Sequence, residues 1–351
     1  MKVGILTLPL NENYGGILQA YALSQILQQI GHQPVLLNRC FNQSLVKRIV
    51  WDIVYALHIP PYYQEKHRLV VKGRNQMGFV RKYMNRTRAL HSGQALWKEC
   101  RRRQIGAVVV GSDQVWRADY AVKVGNNYFL DFLPVESGVK RLSYAASLGL
   151  NTWNYDENTT AQIKRLLNAF DGVSVREDEG KTLLEKHADC AAQVVLDPTL
   201  LLPAENYKQV MSPCLRNNYT FVYWLGERAG MVDVLHREGV APEHRVEVEL
   251  RAEGPKPAIE DWLSYINYAD EVITDSFHGC VYAIVLQKQF KVYINQSGGG
   301  GRLRSLLQQL GIEKKLEDVD MYVDYGQVTP RLKALQEKSV SFLSSILQDK
   351  K

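Results

Sequence analysis

The chain has few cysteines, and they lie far apart. Five occur among 351 residues, and no CxxC pair or Cys/His cluster is present. They are Cys40, Cys100, Cys190, Cys214 and Cys280. This pattern argues against both a disulfide framework and a zinc site, because no cysteines lie at the spacings typical of either. We therefore expect reduced thiols, no structural metal and a cytoplasmic location.

Long hydrophobic runs are also missing. A membrane-spanning helix needs about 20 consecutive apolar residues, and no stretch of this sequence approaches that length. Residues 1–7 form too short an apolar run for a signal peptide and lack a cleavage site. We therefore expect a globular protein without a membrane span.

Acidic residues are scarce in one segment. Residues 39–103 hold 15 Lys and Arg but only three acids, a local net charge of +12 in a chain of net charge +6. A block this basic usually meets an anionic partner. No nucleic-acid-binding motif accompanies it, so we expect no nucleic-acid partner.

Two interpretations of the basic segment stay open. Residues 44–58 are apolar with a thin basic edge and include Trp51 and Tyr55. Such a helix suits an anionic membrane surface, which would place residues 40–103 at the inner face of the membrane as a peripheral attachment. The alternative is a helical insertion that packs on the core and keeps its cationic face in water.

Predicted strands and helices alternate along the chain. Residues 3–8 and 34–37 have the composition of buried strands, and a turn-rich loop at 9–16 and a helix at 17–30 lie between them. This strand–loop–helix–strand unit is typical of the opening of a doubly wound α/β fold. A strand at 219–225, followed by a glycine loop, repeats the opening in the second half.

The repetition predicts an α/β fold of two Rossmann-like domains that face a cleft. The predicted parts are an N-terminal domain at 1–200 with a basic helical insertion at about 40–103, a C-terminal domain at 207–330, and a closing helix at 331–351.

Small, polar or charged residues follow several of the predicted strands. Asp113 and Arg176 each follow a buried strand, and His278 follows another within the turn at 274–279. Ligands bind at the carboxyl ends of strands in open α/β sheets, and loops there often carry function. We therefore predict a ligand site in the cleft between the two halves.

Each of these residues also has a plain structural interpretation. Arg176 is placed to form a salt bridge with Glu177 or Glu179, and His278 to cap a helix or pack in the core. The four glycines at 298–301, which precede two arginines, suit either an anion-binding loop or an ordinary surface loop.

Six short motifs, in order along the chain, resemble those of the polysaccharide pyruvyl transferase family. They are residues 13–23, 111–116, 143–147, 174–177, 197–199 and 274–279. The resemblance implies a fold like that of the two-domain glycosyltransferases of the B type. It also implies transfer of pyruvate from phosphoenolpyruvate to two hydroxyls of a sugar, as a ketal. The family serves capsule, exopolysaccharide or cell-wall glycan assembly in bacteria.

The resemblance further implies a donor site and an acceptor site, with phosphoenolpyruvate as the donor substrate and no cofactor. Phosphoenolpyruvate carries a phosphate and a carboxylate, so its site needs cations. The expected donor-binding residues are Arg176, His278, Ser276, Arg302 and Arg304. The expected acceptor-binding residues are Asn11, Asn13, Gly15, Gly16 and Trp116.

A histidine and a carboxylate are the expected catalytic groups. His278 is placed to give a proton to C3 of the enol or to the leaving phosphate, since histidine titrates near neutral pH. Better-known members often have aspartate where this chain has Gly16 and arginine where it has Ser276. We therefore expect Asp113 or Asp275 to be the base, and Arg302 or Arg304 to replace the missing cation.

Two other functions compete with this one. A nucleotide-sugar-dependent glycosyltransferase of the same fold would use Arg302, Arg304 and the glycine run for a diphosphate. A non-enzymatic scaffold in a glycan assembly complex would use the basic insertion for docking. For the pyruvyl transferase, the insertion suggests a lipid-linked glycan acceptor at the inner membrane surface.

Overall fold

A computed structural model describes residues 1–42, 45–213, 216–294 and 300–348. Cys214 and the first two glycines of the run at 298–301 lie outside the described residues.

The N-terminal domain is built on a six-stranded parallel sheet of order β2-β1-β3-β4-β5-β6. Its strands are β1 (Lys2–Leu6), β2 (Gln33–Leu36), β3 (Ile105–Asp113), β4 (Lys140–Ala146), β5 (Ser174–Val175) and β6 (Gln193–Val194). β3 is almost continuously apolar because both faces of a parallel sheet are buried. The strand order reverses between β1 and β3, which creates the crevice where such sheets bind ligands.

Eight helices lie in the described part of this half. They are α1 (Tyr14–Gln29), α2 (Leu45–Ala56), α3 (Tyr62–Lys72), α4 (Arg74–Tyr83), α5 (Gly93–Arg103), α6 (Ala118–Ala121), α7 (Glu157–Leu167) and α8 (Asp178–Ala188). Short 3₁₀ helices lie at Val122–Phe129, Val135–Ser137 and Pro198–Leu200.

The C-terminal domain has a four-stranded parallel sheet of order β10-β9-β7-β8. Its strands are β7 (Thr220–Trp224), β8 (Arg245–Glu249), β9 (Glu271–Thr274) and β10 (Gln289–Val292). The remaining helices are α9 (Ala204–Lys208), α10 (Arg228–Arg237), α11 (Ile259–Tyr268), α12 (Phe277–Val285), α13 (Gly300–Leu310) and α14 (Tyr325–Leu347), with 3₁₀ turns at Pro242–His244 and Glu313–Leu316. Two parallel sheets with helical crossovers confirm the predicted pair of Rossmann-like domains.

One hydrophobic core runs through both domains. The ring of Tyr14 in α1 stacks on Trp262 in α11 with 5.1 Å between ring centroids. The Tyr14 hydroxyl and the Gln76 amide both donate hydrogen bonds, each of 2.8 Å, to the carbonyl of Pro257. These contacts fix the first turn of α1 against the C-terminal domain.

The closing helix returns to the N-terminal domain. The backbone N–H of Leu196 donates to Ser339 Oγ at 3.0 Å, and Lys140 Nζ donates to the carbonyl of Ile346 at 2.8 Å. α14 begins at Tyr325, earlier than the predicted 331, because Asp324 caps it by accepting from the N–H of Gly326. The last helix therefore covers the sheet of the other domain.

The basic insertion consists of α2 to α5, between β2 and β3. α4 packs on the core: the ring centroid of Phe79 lies 5.2 Å from that of Tyr21 in α1. α2, by contrast, turns apolar side chains outward. The packing of α4 agrees with the interpretation as a helical insertion on the core, and the membrane interpretation stays a prediction. Nowhere in the described ranges is there a helix long and apolar enough to traverse a bilayer.

Candidate active site

His278 lies in the first turn of α12, directly after β9. Ser276 caps this helix, since its Oγ accepts from the N–H of Gly279 at 3.3 Å. The Ser276 N–H in turn donates to Thr274 Oγ1 at 3.0 Å. A side chain at Gly279 would meet Thr274 Oγ1 at 2.3 Å, so the tight turn needs glycine there. The local sequence thus presents His278 at a strand end and assigns Ser276 to capping.

Asp275 holds the neighbouring loop. Its Oδ1 accepts from the N–H of Leu225 at 2.7 Å, and its Oδ2 accepts from the N–H of Gly226 at 2.8 Å. Both carboxylate oxygens therefore bind backbone that follows β7. This geometry disagrees with the prediction that Asp275 is a base, because its oxygens are used to join β7 to β9.

Arg176 is the centre of a buried charge cluster at the ends of β3, β5 and β6. One terminal nitrogen lies 3.0 Å from Asp113 Oδ1 and the other 2.9 Å from Asp197 Oδ2. Its Nε is 3.6 Å from Glu177 Oε2, an ion pair without hydrogen-bond geometry. The predicted pairing with Glu177 is therefore only part of a larger arrangement of three carboxylates around one guanidinium.

Burial raises the pKa values of these carboxylates, and the neighbouring cations lower them. Burial opposes the charge of Asp113, but Arg176 and His278 outweigh it and lower its pKa. The balance is the same at Asp197, whose pKa is also lowered. At Glu177 burial wins over Arg176 and raises the pKa. The cluster thus contains two firmly ionised carboxylates and one that binds a proton more readily.

His278 lies beside this cluster. Its Nε2 is 3.9 Å from Asp197 Oδ2, beyond hydrogen-bonding distance, and has no hydrogen-bond partner among the described residues. Burial lowers the pKa of His278, while Asp197 and Asp113 act in the opposite direction. A buried imidazole nitrogen without a partner is available to a ligand.

The loop after β1 reaches the same place. A Cβ on Gly15 would lie 2.0 Å from His278 Nδ1, and one on Gly16 would lie 3.8 Å from Asp113 Oδ2. Asn13 caps α1, its Oδ1 accepting from the N–H of Gly16 at 3.2 Å. The structure therefore brings Gly15 and Gly16 close to His278 and Asp113, two of the three predicted catalytic residues.

Asp113 itself has an unusual backbone. Its φ is +74°, a region that non-glycine residues seldom adopt. Such conformations cluster at functional sites when the surroundings hold them. Here Ser112 fixes the backbone, because its N–H donates to Gln19 Oε1 at 2.9 Å and its Oγ to Asp197 Oδ2 at 3.0 Å.

Arg302 brings a second guanidinium to the site from α13. Its Cζ lies 5.9 Å from the ring centroid of Phe277, and that of Arg176 lies 5.0 Å from the same ring. Burial, and then the charge of Arg176, lower the pKa of Arg302 to about 10. Its Nε is buried without a hydrogen-bond partner in the described residues. Two close cations with unused donors favour an anionic ligand.

A cavity of about 340 Å³ opens next to Arg302. Its walls are Gly149, Leu150, Asn151, Glu177, Glu179, Ile294, Gly300, Gly301, Arg302 and Arg304. They come from the ends of β4, β5 and β10, so the cavity lies between the domains. Arg304 is exposed at its rim.

Two predicted acceptor residues lie elsewhere. Asn11 borders a separate cavity of about 410 Å³ between the loop after β1 and helices α3 and α4. Trp116 is only 1% exposed, its Nε1 donates to the carbonyl of Tyr128 at 2.9 Å, and its ring stacks on Phe129. The prediction that Trp116 binds the acceptor is wrong, because the residue is fully used in the core.

Sequence reasoning missed Asp197 and Glu177 as members of the site. Asp197 accepts from Thr199 Oγ1 at 2.6 Å and from the Thr199 N–H at 3.0 Å, as well as from Arg176. The sequence did contain a signal for both residues, because the motifs at 174–177 and 197–199 follow predicted strands.

Comparison with solved structures gives distant similarities. UDP-GlcNAc 2-epimerase from Neisseria meningitidis bound to UDP-GlcNAc is 10% identical, with a TM-score of 0.49 over 98% of this chain and 100% of that one. UGT89C1 from Arabidopsis thaliana complexed with UDP-L-rhamnose is 11% identical, with a TM-score of 0.49 over 98% of both chains. Identities this low carry no information about activity.

Comparison at the level of sequence gives a closer answer. No curated protein matches the chain significantly. The profile of polysaccharide pyruvyl transferases, however, matches residues 13–297, a range that includes strands β2 to β10 and the Arg176 cluster. The chain belongs to the polysaccharide pyruvyl transferase family.

Proposed function

We propose that this chain transfers pyruvate from phosphoenolpyruvate to two hydroxyls of a sugar, as a ketal, in the synthesis of a bacterial surface polysaccharide. The observation that carries the proposal is the pair of guanidiniums of Arg176 and Arg302 over the ring of Phe277, beside His278. Phosphoenolpyruvate has two anionic groups and reacts at a carbon between them, so its site needs fixed cations next to a proton donor. Family membership supports the same activity.

Arg302 is the proposed replacement for the arginine that relatives often have at the position of Ser276. Ser276 caps α12, whereas α13 carries Arg302 to the Phe277 ring. The terminal nitrogens of Arg176 are already bound by Asp113 and Asp197. Arg302, whose Nε has no partner in the described part of the chain, is therefore the stronger proposed ligand for the donor phosphate or carboxylate.

The proposed reaction has three bond changes at C2 of the donor. The first sugar hydroxyl forms a C–O bond to C2 while C3 gains a proton and becomes a methyl group. The C2–O bond to phosphate then breaks, and the second hydroxyl closes the ketal. One hydroxyl proton ends on C3 and the other on phosphate. His278 is the proposed proton donor, because its Nε2 has no hydrogen-bond partner in the described residues and lies at the reacting site. Burial lowers its pKa, which makes the imidazolium a readier acid, and Asp197 and Asp113 partly offset that lowering.

Glu177 is the proposed proton acceptor, in preference to Asp113. Burial raises the pKa of Glu177, and its Oε2 is buried without a hydrogen-bond partner in the described chain. It also lines the cavity next to Arg302. Asp113 has a lowered pKa and binds Arg176, so it is a weaker base and a better support for that arginine.

Calorimetric titration with phosphoenolpyruvate tests the donor site. Loss of a charge-assisted contact costs about 1.5–3 kcal/mol, or roughly tenfold to a hundredfold in affinity. We expect this loss in Arg302→Gln and His278→Gln. Arg304→Gln is the matched control, because Arg304 is exposed at the rim on the same helix. Equal losses in Arg302→Gln and Arg304→Gln would contradict the assignment.

The same titration separates the alternative function. A nucleotide-sugar-dependent glycosyltransferase would bind a sugar nucleotide and would not release phosphate from phosphoenolpyruvate with any glycan. The start of α13, where Arg302 and Arg304 flank the cavity, is the feature that favours it. Binding of UDP-sugars without binding of phosphoenolpyruvate would replace the proposed function with this one.

A further inference from the structure

Helix α2 has an apolar face that points away from the protein. Five large apolar residues of α2 and the position after it are each at least 50% exposed. They are Val46, Ile49, Val50, Ile53 and Leu57, named here the α2 stripe. Spacings of three and four residues place all five on one side of the helix. A helix of a soluble domain normally turns such a stripe to the core, so this orientation needs an explanation.

The opposite side of α2 is anchored, which fixes the direction of the stripe. The rings of Trp51 and Tyr62 meet edge to face with centroids 4.6 Å apart, and Tyr55 contacts Tyr63 at 5.3 Å. Lys66 in α3 also pairs with Asp52 at 3.0 Å. α2 and α3 therefore form a pair held by aromatic contacts, and the stripe is the side left over.

The positive charge of the insertion around the α2 stripe favours an anionic partner. Residues 39–103 carry 15 Lys and Arg against three acids. Lys47 lies in α2, and Arg74 and Arg81 are exposed on α4. A second copy of this chain would bring an equally cationic segment against the stripe, which is unfavourable. An anionic bilayer surface offers acyl chains for the stripe and negative headgroups for the cations.

We propose that the α2 stripe docks this chain on an anionic membrane surface, with α2 lying in the interface between headgroups and acyl chains. This proposal concerns binding and does not depend on the reaction assigned above.

The insertion also connects this surface to the loop after β1. Lys66 and Leu69 of α3 line two cavities, one of about 450 Å³ beside Trp51 of α2 and one of about 410 Å³ beside Asn11. If the proposed function holds, the second cavity suits the anionic, lipid-linked end of a membrane-bound acceptor, since Arg74, Arg81 and Met77 also line it. That extension rests on the proposed function, whereas membrane docking does not.

Sedimentation with lipid vesicles tests the docking. The probe is a vesicle of equal parts phosphatidylglycerol and phosphatidylcholine, compared with phosphatidylcholine alone. We expect the wild-type chain to bind the anionic vesicles and the double variant Ile49→Glu/Ile53→Glu to bind at least about tenfold more weakly, since it loses apolar burial and adds two negative charges. Val232→Glu is the matched control, because Val232 is an exposed apolar residue on helix α10.

Two results would overturn the proposal. One is failure of the wild type to bind anionic vesicles, and the other is equal vesicle binding by wild type and the double variant. Light scattering tests the competing partner, a second copy of this chain. If the wild type is a dimer that does not bind vesicles, and Ile49→Glu/Ile53→Glu is a monomer, the α2 stripe serves self-association instead. The substitutions are at exposed helical positions, so we expect an unchanged melting temperature, which excludes unfolding as the cause.

Discussion

The candidate active site and the basic insertion use the same ion-pair chemistry in opposite surroundings. The side chain of Arg176 is 1% exposed and lies among three carboxylates. In the insertion, Arg68 pairs with Glu253 at 3.4 Å with both side chains more than half exposed. Removing one partner of a buried pair leaves an uncompensated charge, whereas water replaces an exposed partner at little cost. Burial therefore makes the fold depend more on Arg176 than on Arg68.

The largest expected effect is that of Arg176→Ala. This change leaves Asp113, Asp197 and Glu177 without their central cation, and breaking a buried pair costs about 3–5 kcal/mol. Urea denaturation should show a loss of this size in the free energy of unfolding. Arg68→Ala is the matched exposed pair and should change it by no more than about 1 kcal/mol. Similar losses in the two variants would remove the distinction between the regions.

Gly15→Ala should have the next largest effect. The new methyl group would meet the His278 ring at 2.0 Å, so the helix or the imidazole must move. Overpacking of this kind costs about 1–3 kcal/mol. Gly78→Ala in α4 is the control, because nothing lies within 4 Å of the added atom there, and it should stabilise the chain by about 0.5–1 kcal/mol. A lower melting temperature for Gly15→Ala and a higher one for Gly78→Ala would confirm the close approach. A raised melting temperature for Gly15→Ala would contradict it.

The pH dependence of stability should identify the buried histidine. Burial lowers the pKa of folded His278 below its unfolded value. The contribution of neutral His278 to the free energy of unfolding is therefore complete above about pH 6.5, and it is lost as the pH falls from there through the folded pKa. Asp113 and Asp197 also have lowered pKa values, so their contribution is lost only below about pH 4.

His278→Gln tests this assignment. Urea midpoints measured from pH 7 to pH 5 should fall less steeply in His278→Gln than in the wild type. His244→Gln, at a residue of the 3₁₀ turn Pro242–His244 outside the cluster, is the matched control for the loss of a histidine. A wild-type slope in His278→Gln would mean that this imidazole is not the group that titrates.

Local sequence was enough to predict the turn at 274–279. An apolar strand, a capping serine and a glycine in close contact with Thr274 determine it within six residues. The two-domain fold could also be predicted, because apolar strands and amphipathic helices alternate in order. Both predictions depend on short-range patterns that the sequence displays directly.

The complete membership of the charge cluster could not be predicted in the same way. Asp197 meets Arg176 because β6 lies beside β5, and Asp113 reaches it from the end of β3, two strands away at the same edge of the sheet. This order depends on the pairing of distant strands. The prediction that Trp116 binds the acceptor failed for a related reason. Its indole N–H donates to the carbonyl of Tyr128, and this contact cannot be predicted from the two residue types. Where a site depends on the order of strands in the sheet, sequence motifs identify candidate residues but not which of them meet.

The smallest expected effect, that of Asp52→Asn, distinguishes stability from docking within the insertion. Asp52 pairs with Lys66 at 3.0 Å, but its side chain is 76% exposed, so the free energy of unfolding should change by less than about 1 kcal/mol. The substitution nevertheless removes one of only three acids in residues 39–103 and frees a lysine next to α2. One charge near an anionic membrane is worth about 1 kcal/mol, so vesicle binding should strengthen about fivefold. Unchanged vesicle binding at low salt would show that Lys66 does not face the lipid, and would move the cationic side of the docking surface toward Arg74 and Arg81.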